Sequence, residues 1–219
     1  MISTITLENL LPAVFAGMES QEPVKSSHVW LNTINLERGN RYLVEAESGT
    51  GKSSLCSFIY GSRGDFSGRI LFDGTDTATF NTSKWCELRK QSLAYLPQEM
   101  QLFPELTVLE NIAIKNRLTN HRPMKWVTDM LEEMEIGDKA NSPAAILSVG
   151  QQQRAAIIRA LCQPFDFLLI DEPVSHLDER NNGIVADIIN RAAQAEGAAV
   201  IATSVGNKIN LDFNCVLKL

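Results

Sequence analysis

Eight consecutive residues, Ala46-Glu47-Ser48-Gly49-Thr50-Gly51-Lys52-Ser53, have the types and spacing to hold a polyphosphate. They follow the pattern G-x-x-x-x-G-K-[ST], with Ala46 at the first glycine position. Glycines let the backbone curl until its N–H groups converge on phosphate oxygens. A helix opening after the loop adds the positive end of its dipole. Lys52 would neutralise the β- and γ-phosphates, and the Ser53 hydroxyl would hold Mg2+. Ser48, Gly49, Thr50, Gly51 and Ser54 complete the candidate phosphate contacts. Alanine adds one methyl group, so the loop survives if position 46 avoids positive φ.

A second chemical feature lies about 120 residues downstream. Phe167-Leu168-Leu169-Ile170-Asp171-Glu172 is an apolar run that ends in two carboxylates. Beside a phosphate loop, Asp171 would complete the Mg2+ shell through water. Glu172, one residue further on, is placed to act as general base on an attacking water. Taken alone the pair reads equally as a solvated acidic turn; the phosphate loop before it favours chemistry.

These residues need elements to position them. Tyr42 to Ala46 reads as a short apolar strand entering the loop, and Ser53 to Tyr60 as the helix leaving it. Phe167 to Ile170 is apolar throughout, as in a strand buried on both faces of a parallel sheet. Ile5 to Leu10 and Leu31 to Leu36 read as antiparallel strands, with Glu19 to Ser27 a polar loop between them. Arg69 to Phe72, Leu93 to Leu96, Ala199 to Ala202 and Cys215 to Leu217 are further strands. Helices are expected over Thr107 to Asn116, Pro123 to Glu135, Ser148 to Leu161 and Asn182 to Ala195. The fold class is therefore α/β. Consecutive helices without a strand suggest a helical subdomain over about residues 99–160, inserted in one domain spanning 1–219.

The chain has 219 residues, 44% hydrophobic and 21% charged, an ordinary globular composition. Its net charge of -6 disfavours a dedicated nucleic-acid binder, and no nucleic-acid partner is expected. Cys56, Cys86, Cys162 and Cys215 form no CxxC pair and read as buried free thiols in a reducing compartment. The start of the chain lacks a basic and then apolar leader. No stretch approaches the ~20 apolar residues of a membrane span. The expected location is cytoplasmic, with any membrane role exerted through a partner.

Between the two chemical features lies Leu147-Ser148-Val149-Gly150-Gln151-Gln152-Gln153-Arg154. This resembles the LSGGQ signature of ABC (ATP-binding cassette) ATPases, with Val149 at the third position. Leu96-Pro97-Gln98 resembles the family's Q-loop, and Ser175-His176-Leu177-Asp178 its D-loop. Phe103 to Ile112 resembles the segment after the Q-loop in bacterial transporter subunits. Most similar is the lipoprotein-export, macrolide-efflux and cell-division group. The resemblance runs from about Leu7 to Ala202 and holds five motifs in order.

The resemblance implies a P-loop NTPase core with an N-terminal antiparallel β portion and an inserted helical subdomain. It implies ATP and Mg2+ as ligands, and a homodimer that sandwiches two ATP. Ser148, Gly150 and Gln151 would then contact the nucleotide held by the other copy, with Asp178 near it. Gln98 would reach Mg2+ or the attacking water. Phe15 is the candidate aromatic for adenine, against a plain core role for the same ring; Trp30 is a poorer candidate. The implied partner is a separate transmembrane permease on the cytoplasmic face of the inner membrane.

One departure stands out. The family's switch histidine aligns with Ser204, and the three histidines, His28, His121 and His176, all precede that point. A serine hydroxyl can donate to a γ-phosphate but reaches less far. Losing one transition-state contact would cost ~3 kcal/mol, about a hundredfold in rate. Two readings follow: a slow ATPase driving a permease, or an ATP-gated regulatory cassette with little turnover.

Overall fold

The computed structural model describes residues 1–219. An antiparallel sheet is made by β1 (Thr4–Pro12), β2 (Thr33–Glu37), β4 (Phe66–Phe72) and the two-residue β5 (Thr75–Asp76), in the order β2-β1-β4-β5. Ile5 sits opposite Leu36 on one side and Phe72 on the other, so one face of β1 is apolar across three strands. A parallel sheet holds β3 (Arg41–Glu45), β6 (Leu93–Leu96), β7 (Phe167–Asp171), β8 (Ala199–Ser204) and β9 (Cys215–Lys218), in the order β6-β7-β8-β3-β9. Helices α1 (Lys52–Ile59), α2 (Thr82–Gln91), α3 (Val108–Asn116), α4 (Met124–Glu133), α5 (Val149–Leu161) and α6 (Glu179–Glu196) surround it.

The period of two along a strand explains how the layers join. Phe167 and Leu169 of β7 enter a cluster shared with the antiparallel sheet and α1. Leu168 and Ile170 enter a second cluster shared with α3, α4, α5 and α6. Every residue of β7 is buried. This is the expected α/β P-loop architecture, with the antiparallel portion against one face of the parallel sheet and helices against the other.

Helix ends follow local chemistry. Thr107 and Glu110 form a reciprocal capping box on α3, each side chain bonded to the other's backbone N–H. Asp178 caps α6, and Gly197, at φ 61°, ends it. Between β6 and β7 the chain runs through α3, α4 and α5 without a strand.

Several boundaries differ from expectation. Helix α2 was not anticipated; its one buried residue is Leu88, too little for an apolar stripe. β4 begins at Phe66, three residues before Arg69, because Gly68 continues the strand at φ 88° against the β1 backbone. β2 starts at Thr33, since Leu31 takes a left-handed φ of 60° and breaks the extended run. Pro123 stands at the N-cap of α4 with extended backbone, one position before the helix. Cys56 and Cys162 are buried, but Cys86 is exposed on the polar α2; all four are free thiols. No helix is long and apolar enough to cross a membrane.

Candidate functional site

β3 feeds the phosphate loop from an interior place in the parallel sheet, between β8 and the edge strand β9. Gly49 and Gly51 take φ of 86° and 101°, which an L side chain rarely adopts. At Gly51 space also excludes a side chain, because a Cβ would stand 2.9 Å from the Trp30 ring. Trp30 Nε1 donates to the Thr50 carbonyl at 3.1 Å, and Thr50 Oγ1 donates to the Glu47 carbonyl at 2.9 Å. Ala46 lies outside the left-handed region, so the missing glycine costs the loop nothing there. α1 begins at Lys52 with no side-chain cap, leaving its first N–H groups open.

Lys52 is buried, and its Nζ donates to the carbonyls of Glu47 (2.7 Å) and Ala46 (3.4 Å). Burial pushes its pKa down, while the carboxylates of Glu172 and Asp171 oppose that. Asp171 is buried at the end of β7 and accepts a hydrogen bond from Thr203 Oγ1. Glu172 turns out of the strand at φ 50°. Its Oε2 accepts from Gln98 Nε2 at 3.3 Å, and its Oε1 lies 3.9 Å from Lys52 Nζ. A cavity of about 360 Å3 opens here, with Ser48, Lys52, Ser53, Gln98, Glu172 and Val205 on its walls. Open N–H groups, an ammonium, an exposed hydroxyl and two carboxylates form the donor set of a polyphosphate carrying a divalent cation.

The signature segment stands apart from this cavity. Ser148 caps α5 by accepting from Gln151 N at 3.3 Å, and Gln151 Oε1 accepts from Ser148 N at 2.9 Å. Gly150 faces the D-loop segment: a Cβ there would stand 3.1 Å from the His176 carbonyl. Asp178 accepts from Asn181 N at 2.8 Å, and that bond holds its carboxyl below the ordinary range. None of Ser148, Gly150, Gln151 and Asp178 lines the cradle within one chain.

Two expected contacts are placed differently. Phe15 is buried under the loop, its ring edge 3.5 Å from where a Gly51 Cβ would stand. The ring is taken up by core packing and holds no open face for a base. Ser204 is buried and its hydroxyl donates to the Asn207 carbonyl at 2.8 Å; the residue reaching the cradle is Val205. Ser54 lies on the cradle wall as expected, and its hydroxyl accepts from Arg63 at 2.9 Å. Thr203 and Gln153, which no motif rule singles out, also hold the site: both bond the Glu172 backbone, and Thr203 bonds Asp171 as well. Both sit within recognised motif segments, one residue before Ser204 and two after Gln151, so proximity to a motif was their one signal.

The profile of the family described as ABC transporter matches residues 32–175. The chain belongs to the ABC transporter family. As a member of it, this cassette is an ATP-binding protein. Among curated relatives, it is 32% identical to the ABC transporter ATP-binding protein YtrE of Bacillus subtilis, over 84% of this chain and 80% of that one. It is 34% identical to the lipoprotein-releasing system ATP-binding protein LolD of Buchnera aphidicola, over 73% of this chain and 72% of that one. A solved bacterial ABC transporter cassette, in a dimeric structure, superposes with a TM-score of 0.77 at 23% identity, over 98% of this chain and 94% of that one.

Proposed function

We propose that the cassette hydrolyses ATP between two head-to-tail copies and drives a separate membrane permease. The observation that carries this reading is the Glu172 carboxylate at the cradle wall, between Lys52 and Gln98. Lys52 and the open N–H groups of α1 bind the β- and γ-phosphates. Ser53, Asp171 and Gln98 would hold Mg2+, which supplies charge neutralisation on the phosphates when bound. Gln98 orients the attacking water, and Glu172 takes its proton as the oxygen bonds to the γ-phosphorus. The bond to the bridging oxygen then breaks and ADP carries the electron pair away.

The second copy supplies Ser148 and Gly150 at the γ-phosphate, with Gln151 and Asp178 beside them. The exposure of Ser148 and Asp178, and the absence of all four from the cradle of their own chain, support this division. The relatives named for an ATP-binding role in transport and lipoprotein release support a permease partner at the cytoplasmic face of the membrane. Residues 1–219 act as one cassette, with about 99–160 as the helical part that follows the permease.

A second reading is favoured by one observation. Ser204 spends its hydroxyl on Asn207, and an apolar Val205 faces the cradle, so the site lacks a donor where a switch residue would serve. That supports slow turnover, and at its limit an ATP-gated regulatory cassette. Phosphate release from Mg-ATP, followed across protein concentrations, separates the two. Turnover per chain that rises with concentration and vanishes in Glu172→Ala supports the dimeric hydrolase. Turnover equal to that control moves the function to an ATP-gated clamp.

A further inference from the structure

The backbone of Glu172 is held at both ends by buried side chains. Its N–H donates to Thr203 Oγ1 at 3.1 Å, and its carbonyl accepts from Gln153 Nε2 at 3.2 Å. Thr203 and Gln153 are 1% and 2% exposed. Between them Glu172 keeps a φ of 50°, a conformation that a non-glycine residue holds only where its surroundings impose it. The same Thr203 hydroxyl donates to the Asp171 carboxylate, so one side chain fixes the metal-side and water-side residues together.

Gln153 is an unfavourable choice for stability alone. Its Oε1 is buried and finds no partner among the protein groups. A buried polar atom left unpaired costs free energy that an apolar side chain of similar volume avoids. What the carboxamide does provide is one bond, from the signature helix α5 to the peptide of Glu172. Because α5 opens at Ser148, that bond joins the helix carrying the signature to the residue that takes the proton.

We infer that Gln153 and Thr203 are positioning residues for Glu172. They set the turn that aims its carboxylate into the cradle, and Gln153 makes that aim depend on where α5 sits. This rests on the proposed role of Glu172 as base. Closing a second copy onto Ser148 shifts α5, and through Gln153 the shift reaches the base. Ser148 meets the partner's nucleotide while Gln153, five residues along the same helix, serves the nucleotide of its own chain.

The test uses the full chain as Gln153→Met, Thr203→Val and Thr203→Ser, each against wild type. Steady-state kcat and KM for Mg-ATP are measured at saturating Mg2+, with Tm and with amide exchange of the 167–177 segment in the nucleotide-free protein. The expected result is a tenfold or larger fall in kcat for Gln153→Met and Thr203→Val, with KM for ATP within twofold of wild type. Tm of Gln153→Met is unchanged or raised, because an unpaired polar atom is removed. Exchange of the Glu172 amide accelerates in both. Thr203→Ser keeps the hydroxyl and restores most of kcat and of the protection. Unchanged Glu172 exchange in Gln153→Met and Thr203→Val overturns the inference, as does an unchanged kcat, or a kcat that falls only in step with Tm. A wild type without turnover, but with the exchange differences present, supports the clamp on the Glu172 peptide and overturns the base assignment instead.

Discussion

Two helix starts in this molecule offer the same raw material, unpaired N–H groups beside hydroxyls, and are finished in opposite ways. At α1 no side chain caps the helix, and the open end faces a cavity with a buried ammonium at its side. At α5 Ser148 and Gln151 satisfy each other's backbone, and both Ser148 and Val149 are exposed. The first end forgoes local stability so that an anion can supply the missing partners. The second is stable without a ligand, and its Ser148 hydroxyl keeps a free O–H donor while it accepts from Gln151 N. A single chain thus holds one whole phosphate site and one half site. On the proposed function, the half site gains its role when a second copy brings its nucleotide against it.

The largest expected effect is at the whole site. Glu172→Gln lowers turnover by about 10²–10⁴-fold, the usual worth of a general base, and leaves ATP affinity intact. Size-exclusion chromatography with saturating ATP then shows a trapped dimer; a monomer under those conditions breaks the contrast between whole and half site. Next, Val205→His places a donor at the cradle wall and raises turnover by about a hundredfold, the scale of one transition-state contact. Ser204→His, at a buried strand end whose hydroxyl serves Asn207, gives no such gain and lowers Tm. The opposite ranking in phosphate release would put Ser204 back at the cradle.

A smaller effect sharpens the other half. Ser148→Ala removes the α5 cap at a cost of about 1 kcal/mol in thermal or urea unfolding. Equilibrium binding of ATP to the dilute monomer stays unchanged, while ATP-driven dimerisation weakens. Weaker binding by the monomer would show that the two regions are not separate. Smallest is the pH effect. Burial lowers the Lys52 value from 10.5 in the free protein, so its charge is lost as pH rises through that lowered value. ATP affinity therefore starts to fall below pH 10.5, which calorimetry can follow. A fall confined to higher pH contradicts the buried ammonium.

The parts legible in the sequence are those where one local rule decides. The apolar run Phe167 to Ile170 could only be a strand buried on both faces, and it is. The phosphate loop needs glycines at fixed offsets, and Gly49 and Gly51 adopt the backbone that only glycine adopts readily. What escaped depends on contacts across long separations. α2 shows no apolar stripe, although Asn81 caps it through Lys84 N and was a usable signal. The side-chain direction of Ser204 follows from the pleat of β8: Thr203 faces Asp171, so its neighbour faces away. Motif alignment assigns the position but carries no information about that alternation. Phe15 was open between two roles because only the packed Trp30 and Gly51 decide where the ring goes.

The placement of β3 also sets the order of events during synthesis. This strand, complete by residue 45, has as its only neighbours β8 and β9, at residues 199–204 and 215–218. Pairings across such a span form late, since loop closure must precede any gain from contact. On the ribosome the antiparallel β1, β2 and β4 can assemble while the strand that carries the phosphate loop still has no seat. A nascent chain therefore lacks a seated phosphate-loop strand until β8 and β9 emerge. Throughout elongation it exposes the unpaired edges of β3 to neighbouring chains, the interval in which a holding chaperone would matter most.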